Sequence, residues 1–243
     1  MPIEPLLLKP AVKDTFWVTL IGKGYPAPRQ GFRWCTERLK IRPSDSYIRE
    51  KIRESGEVIL VLGTRTAESA SRAALMAEHR KWRVSTHLNY YPSRPNSLIY
   101  TPIEDWRTDE VWLYLMQYPN PWGNDNKALF TMYRGATADN ECPLVIDTST
   151  PSCGSSRFGC WVCTLVAKDK SMEAMIQNDE EKEWMQPLLD LRNELDVEND
   201  LDRRDFRRRQ GHVQLYERAV SGADTTEVVN IPGPYTKYWR EEW

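Results

Sequence analysis

Glu57-Val-Ile-Leu-Val-Leu-Gly63 runs directly into Thr64-Arg-Thr-Ala-Glu-Ser-Ala-Ser-Arg-Ala-Ala-Leu-Met76, and this stretch sets the fold class. A near-continuous apolar run suits a parallel-sheet strand covered on both faces. The residues after Gly63 turn at once into a helical pattern, so the pair reads as a β–α unit of an α/β fold. Leu98-Ile-Tyr-Thr-Pro-Ile103 reads as a second strand. Sites in open α/β sheets lie at the carboxyl ends of strands. Arg65, Glu68, Ser69 and Arg72 fall at that point, and two arginines there can grip an anion bidentately. The structural alternative is an exposed helix start with a Glu–Arg pair.

Outward from that unit, Ser44 to Ser55 reads as a helix capped by Ser44, with Tyr47, Ile48 and Ile52 at helical spacing and Gly56 ending it. Asp14 to Ile21 reads as a short helix or strand, and residues 80–97 as a polar loop. Thr108 is placed as the cap of a helix carrying Asp109 and Glu110 in its first turn, stopped by Pro119 and Pro121. Asn126 to Arg134, Asp169 to Asn178 and Glu180 to Leu195 read as further helices, and the chain after Gly211 as loosely structured. The expected division is 1–134, an α/β domain; 135–199, a cysteine-rich region with helices; and 200–243, a charged C-terminal segment.

The 33 Lys+Arg against 35 Asp+Glu give a net charge of −2, so charge as a whole points to neither nucleic acid nor membrane, and only local clusters can. No run of about eighteen apolar residues occurs. The N-terminus does not read as a signal peptide, so a reducing cytoplasm is the expected compartment. There, clustered cysteines serve metals or chemistry more than structural disulfides.

Such a cluster is present. Cys153-Gly-Ser-Ser-Arg-Phe-Gly-Cys160-Trp-Val-Cys163 puts three thiols within eleven residues, with Gly and Ser letting the loop fold back. Several thiolates converging on one point suit a soft metal or a cluster. A four-thiolate site needs one more ligand, and Cys35 and Cys142 are the remaining thiols.

Local basic segments complete the inventory. Cys35 sits among Arg29, Arg33, Arg38, Lys40 and Arg42, cations suited to nucleotide phosphates or DNA, or to a solvated helix start. Gly22-Lys-Gly-Tyr-Pro-Ala-Pro28 is a loop, read as a simple turn or a weak phosphate cradle. Asp200-Leu-Asp-Arg-Arg-Asp-Phe-Arg-Arg-Arg-Gln210 carries five arginines and is the best local candidate for a phosphate-backbone contact. His79, His87 and His212 are scattered and read as structural or surface residues.

Four segments in order carry a resemblance: Phe32-Arg-Trp-Cys-Thr-Glu-Arg-Leu-Lys40, Leu62 to Arg72, Thr101-Pro-Ile-Glu-Asp-Trp-Arg-Thr-Asp-Glu-Val-Trp-Leu-Tyr-Leu115, and the cysteine loop with Asp169-Lys-Ser-Met-Glu173. Together they resemble the phosphoadenosine-phosphosulfate-reductase-like branch of the adenine-nucleotide α-hydrolases. Within it, the cysteine loop and its flanks resemble the DndC family of DNA phosphorothioation sulfurtransferases. The resemblance implies a partial doubly wound parallel sheet with an Fe-S-binding helical C-terminal region. It also implies a [4Fe-4S] cluster held by Cys35, Cys153, Cys160 and Cys163, with zinc as the alternative because spacing alone does not separate them. Nucleotide or phosphate contacts would come from Arg33, Arg38, Lys40, Arg65, Glu68, Ser69 and Arg72. The implied activity replaces a phosphate oxygen of DNA by sulfur: ATP activates the oxygen, and a cysteine desulfurase and other phosphorothioation proteins act as partners. The family's Ser-Gly-Gly-Lys-Asp-Ser pyrophosphate loop is absent from this sequence, so the chain reads as a fragment or shortened paralogue. Two rivals are a sulfonucleotide reductase, whose usual C-terminal catalytic cysteine has no counterpart in residues 164–243, and a metal-stapled scaffold without turnover.

Overall fold

The structure, a computed structural model, describes residues 3–29, 31–91, 94–136, 158, 160–219 and 226–243, with only the backbone of Ala219. Cys142 and Cys153 lie outside the described residues. The contacts group the chain into two units: Met1–Ser44 with Cys160–Lys168 and Pro187–Trp243, and Asp45–Gly159 with Asp169–Gln186. This division differs from the three sequence segments, because the C-terminal chain returns to pack on the N-terminal one.

The second unit holds a four-stranded sheet in the order β1 (Val58–Val61), β4 (Ser97–Tyr100), β3 (Leu88–Tyr90), β2 (Arg83–Ser85). β1 and β4 are parallel, with Leu60 opposite Ile99, whereas β3–β4 and β2–β3 are antiparallel. The sheet is thus mixed and not wholly parallel. The physical reason is connection length: residues 91–96 are too few to cross over from β3 to β4, so the chain reverses. β2 and β3 fall within the expected polar loop. β2 is exposed, and its Arg83 Nε donates at 3.4 Å to Oδ1 of the buried Asn89 on β3. β1 is an edge strand whose alternate residues Ile59 and Val61 are 57% and 61% exposed, so it is not covered on both faces.

The same unit carries α3 (Ala70–Arg80), which packs on β3, and α4 (Thr108–Gln117), α5 (Asn126–Gly135) and α6 (Lys170–Asn178), in which α5 packs on both α4 and α6. Trp112 of α4, 4% exposed, meets Phe130 and Tyr133 of α5 edge-on at 5.3 and 5.2 Å. Thr108 is the first residue of α4, not its cap. Arg107 caps it, and Glu110 Oε2 accepts the Arg107 N–H at 2.6 Å.

In the first unit, residues 12–22 form a 3-10 turn and a π turn. A short α1 (Trp34–Thr36) continues through a π turn into α2 (Arg42–Ser55), whose residues from Asp45 on belong to the second unit. Ser44 is therefore inside a continuous helix, its hydroxyl donating back to Lys40 O at 2.8 Å. The expected Glu180–Leu195 helix divides into a 3-10 stretch (Glu180–Met185) and α7 (Gln186–Leu195), with Pro187 in α7's first turn. The core joins Leu20, Ala27, Leu195 and Tyr235, with Phe16, Ile21, Leu191 and Trp243 packed against it. The C-terminal segment is ordered: β5 (Leu215–Ala219) and β6 (Thr226–Asn230) pair antiparallel, and α8 (Lys237–Glu242) follows. Periodicity failed to mark it because both strands are largely exposed and polar.

Candidate functional site

One loop, residues 25–28, organises the thiol region. Trp34 is buried against Phe16, ring centroids 5.4 Å apart, and its indole N–H donates to Pro26 O at 2.9 Å. Cys35, the next residue, is half-buried. On the other side, the Thr164 hydroxyl donates to Pro28 O. Cys163, the residue before it, donates its N–H to Cys160 O at 3.0 Å, closing a tight turn. Arg192, 1% exposed, clamps the same turn: Nε donates to Cys163 O at 3.1 Å, Nη1 to Ala167 O at 3.2 Å, and Nη2 to Val166 O. Two carbonyls only two residues apart, a span of about 7 Å, therefore each hold the neighbour of a cysteine. That is how the fold brings residue 35 and residues 160–163 into one unit.

The basic residues flagged around Cys35 separate into two groups. Arg38 points inward: it bonds the Tyr25 hydroxyl at 3.1 Å and lies 3.6 Å from the carboxylate of the buried Asp14. Arg33 and Lys40 are exposed.

At the end of β1 the structure brings Arg65, Glu68, Ser69 and Arg72 together. Ser69 caps α3, accepting the Arg72 N–H at 3.1 Å. Glu68 faces both arginines, 3.9 Å from Arg65 and 3.2 Å from Arg72. Arg65 also donates to Thr108 Oγ1 at 3.0 Å and Trp106 O at 3.4 Å, stapling the strand end to the start of α4. A cavity of about 130 Å³ beside it is lined by Arg72, His79, Thr101 and Glu104 among others.

Glu104 is a residue that sequence reasoning missed. It is 2% exposed and faces Arg83 at 2.6 Å, Arg80 at 3.3 Å, His87 at 3.4 Å and the Thr101 hydroxyl at 2.8 Å. Burial pushes its carboxyl up, but the bonds from Arg83 and Thr101 and the charge of Arg80 hold it below the ordinary carboxylate range. Among the described residues, the group with all potential ligand atoms within 4.8 Å is His87, Glu104 and Asp105. Its carboxylates are already engaged by arginines, since Arg80 lies 2.9 Å from Asp105. The thiols of Cys35, Cys160 and Cys163 form no such group.

A larger cavity, about 540 Å³, opens in the first unit between the 23–26 loop and residues 204–210 and 231–234. Lys23, Arg29, Arg204, Arg208 and Arg209 line it with Phe32, and no carboxylate does. Its walls approach through two glycines. Gly24 has φ +67° and no room for a side chain, since an added Cβ would meet Pro234 Cβ at 2.8 Å; one on Gly233 would overlap Arg207 O at 1.7 Å. Behind the cavity, the buried Tyr235 hydroxyl donates to Asp200 at 3.1 Å and accepts the Ala27 N–H at 3.1 Å. Asp200 faces Arg29 and Arg204. Burial pulls the Arg204 guanidinium down from its ordinary value, against the charge of Asp200. Sequence reasoning marked both walls separately; nothing local in either shows that Tyr235 joins them.

Among the described residues, no helix is long and apolar enough to cross a membrane. Residues 21–165 match the family model described as "Phosphoadenosine phosphosulfate reductase domain". Two uncharacterized proteins of Methanocaldococcus jannaschii are similar: MJ0066, 28% identical over 45% of this chain and 20% of that protein, and MJ0973, 28% identical over 41% of this chain and 20% of that protein. The matched stretch thus spans about a fifth of the length of each of these relatives. No solved structure matches.

Proposed function

Because the chain belongs to the phosphoadenosine phosphosulfate reductase domain family, a family of nucleotide-using enzymes, we propose that it is a sulfur-transfer component of DNA phosphorothioate modification. Its thiols would hold a [4Fe-4S] cluster. The observation that carries this reading is the shared 25–28 loop, which tethers Trp34 beside Cys35 and Thr164 beside Cys163. Three of the proposed ligands, Cys35, Cys160 and Cys163, therefore belong to one unit, with Cys153 proposed as the fourth. All-thiolate donors fit an iron–sulfur cluster, which when bound supplies soft sulfur and electron chemistry. Zinc is the alternative occupant, since four thiolates suit either metal centre.

The protein's own residues do the positioning. Arg192 fixes the Cys160–Cys163 turn by its carbonyls, and Trp34 fixes the start of the helix that carries Cys35. Each unit offers its own cations to phosphate: Arg33 and Lys40 flanking Cys35 in the chain of the first, and the guanidiniums of Arg65 and Arg72 at the end of β1 in the second. ATP and a cysteine desulfurase remain the proposed activator and sulfur donor, and the protein is proposed to act in the cytoplasm. A second reading, a metal-stapled scaffold, is favoured by one observation: Arg65 and Arg72 already share Glu68.

Anaerobic purification followed by an absorption spectrum and iron, sulfide and zinc analysis tests the proposal. A brown protein with about four irons per chain, lost on replacing Cys35, Cys160 or Cys163 by Ser, is the expected result. One zinc per chain in a colourless protein moves the reading to the scaffold. Unchanged metal content in all three variants overturns the ligand set.

A further inference from the structure

The 540 Å³ cavity of the first unit has the size of a small-ligand site, and its charge is unbalanced. Of its five lining cations, Arg29 and Arg204 share the single carboxylate of Asp200. Lys23 lies 3.9 Å from Asp14, which also faces Arg38 and Arg42. Arg204 donates to Gly233 O and Pro232 O, and Arg208 donates to Pro232 O, at 2.6 to 3.0 Å, and a neutral carbonyl leaves the positive charge in place. Arg209 is exposed and makes no ion pair among the described residues. Tyr25 on the wall responds to this field: its hydroxyl is lowered first by the bond from Arg38, with burial opposing, and further by the charges of Arg209 and Lys23. Phe32, 39% exposed on the same lining, offers a face on which a base can stack.

The geometry points to this cavity as a binding site for nucleotide phosphate, free or within a strand, distinct from the arginines at the end of β1. Cations held in place by carbonyls and glycines form a preorganised anion site, and arginine suits bidentate phosphate contact. Only the preference for a DNA strand over a free nucleotide rests on the phosphorothioation reading; anion binding does not.

Fluorescence anisotropy with a labelled single strand of about 12 nucleotides, its duplex, and competing ADP tests it on the full chain at several salt concentrations. The expected result is binding that weakens as salt rises. Arg209→Gln should reduce affinity about 3–10-fold and flatten the salt slope by about 0.7 for the single strand. Arg218→Gln, which breaks the Arg218–Glu227 pair on the β5–β6 hairpin, serves as the control and should bind as wild type. Arg209 is exposed and makes no ion pair among the described residues, so its variant should melt with the wild type. Competition by micromolar ADP identifies a free nucleotide as the occupant, and strand binding indifferent to ADP identifies nucleic acid. Wild-type affinity for every probe in an Arg208→Gln/Arg209→Gln double variant, or no binding of any probe at low salt, overturns the site. Metal analysis of the same preparation keeps the two readings apart. Arg209-dependent binding by a protein without iron would sink the cluster and keep the cavity.

Discussion

Two arginine-rich regions of this molecule solve the same electrostatic problem differently. At the end of β1, Arg65 and Arg72 are both offered one carboxylate, Glu68, and Arg65 spends further donors on Thr108 and Trp106. In the first unit, Arg192, Arg204 and Arg208 are satisfied mostly by backbone carbonyls. A carboxylate partner neutralises a guanidinium, whereas a carbonyl orients it and leaves its charge available to a ligand. Counting hydrogen bonds makes the two regions look equally occupied. Counting charge over the whole lining separates them: two guanidiniums share one carboxylate at the end of β1, whereas five cations line the cavity and, among the described residues, pair with Asp200 and with an Asp14 that also faces Arg38 and Arg42.

The largest effect should follow from removing the most buried of the carbonyl-bound arginines. Arg192→Leu deletes a side chain 1% exposed that holds the carbonyls of Cys163, Val166 and Ala167 and pairs with Asp196 at 2.9 Å. Leaving those groups unpartnered should cost about 3–5 kcal/mol, read as a lower urea midpoint, and should reduce metal retention by the Cys160–Cys163 turn. A loss below about 1 kcal/mol would mean that water replaces the guanidinium readily. The carbonyl-bound arginines lining the cavity would then be less rigid than the comparison requires.

How much of this was legible in the sequence follows the range of the forces involved. β1, β4, α4 and α5 were readable because apolar runs and helical spacing are local signals. The direction of the β3–β4 pairing was not, because the strands of residues 83–90 are polar and are held by a buried Glu104 that has no local signature. The two walls of the basic cavity were each marked by composition, Gly22-Lys-Gly on one side and the arginines of 203–209 on the other. Their meeting depends on Tyr235 bonding Ala27 and Asp200, across separations in chain of 208 and 35 residues. The neighbours of Cys35 and Cys163, Trp34 and Thr164, are likewise tethered to the carbonyls of Pro26 and Pro28, residues that carry only a turn signal. Cys153 stays an expectation, outside the described residues.

Tyr235 offers a smaller and more specific test. Tyr235→Phe removes the hydroxyl that holds Asp200 behind the cavity, leaving the Ala27 N–H without its acceptor and Asp200 Oδ2 with Arg204 alone, at a cost of about 1–3 kcal/mol. Burial is the main cause that raises this hydroxyl from its ordinary value of 10 to about 12, so the folded state holds the proton more tightly than the unfolded chain. The corresponding stability, roughly 2–3 kcal/mol, is present in full below pH 10 and is lost as pH rises from 10 to 12. The difference between wild type and variant in thermal melts should therefore shrink across that window. A difference independent of pH there would detach Tyr235 from the electrostatics of the cavity.

The smallest effect belongs to the other region. Glu68→Gln keeps the Arg65 N–H acceptor and the shape of the first turn but removes the charge that both arginines share. Half-exposed pairs of this kind contribute about 0.3–0.5 kcal/mol, so the melting temperature should barely move. The informative readout is a second melt in millimolar pyrophosphate, because a ligand bound only to the folded state raises stability in proportion to the logarithm of its concentration over Kd. If neutralisation by Glu68 is what separates the strand-end arginines from the cavity, pyrophosphate should stabilise Glu68→Gln more than wild type. That added stabilisation should persist when Arg209→Gln is combined with it, because the new charge lies on Arg65 and Arg72. An equal shift in wild type and Glu68→Gln would show that the carboxylate does not govern anion binding at the end of β1.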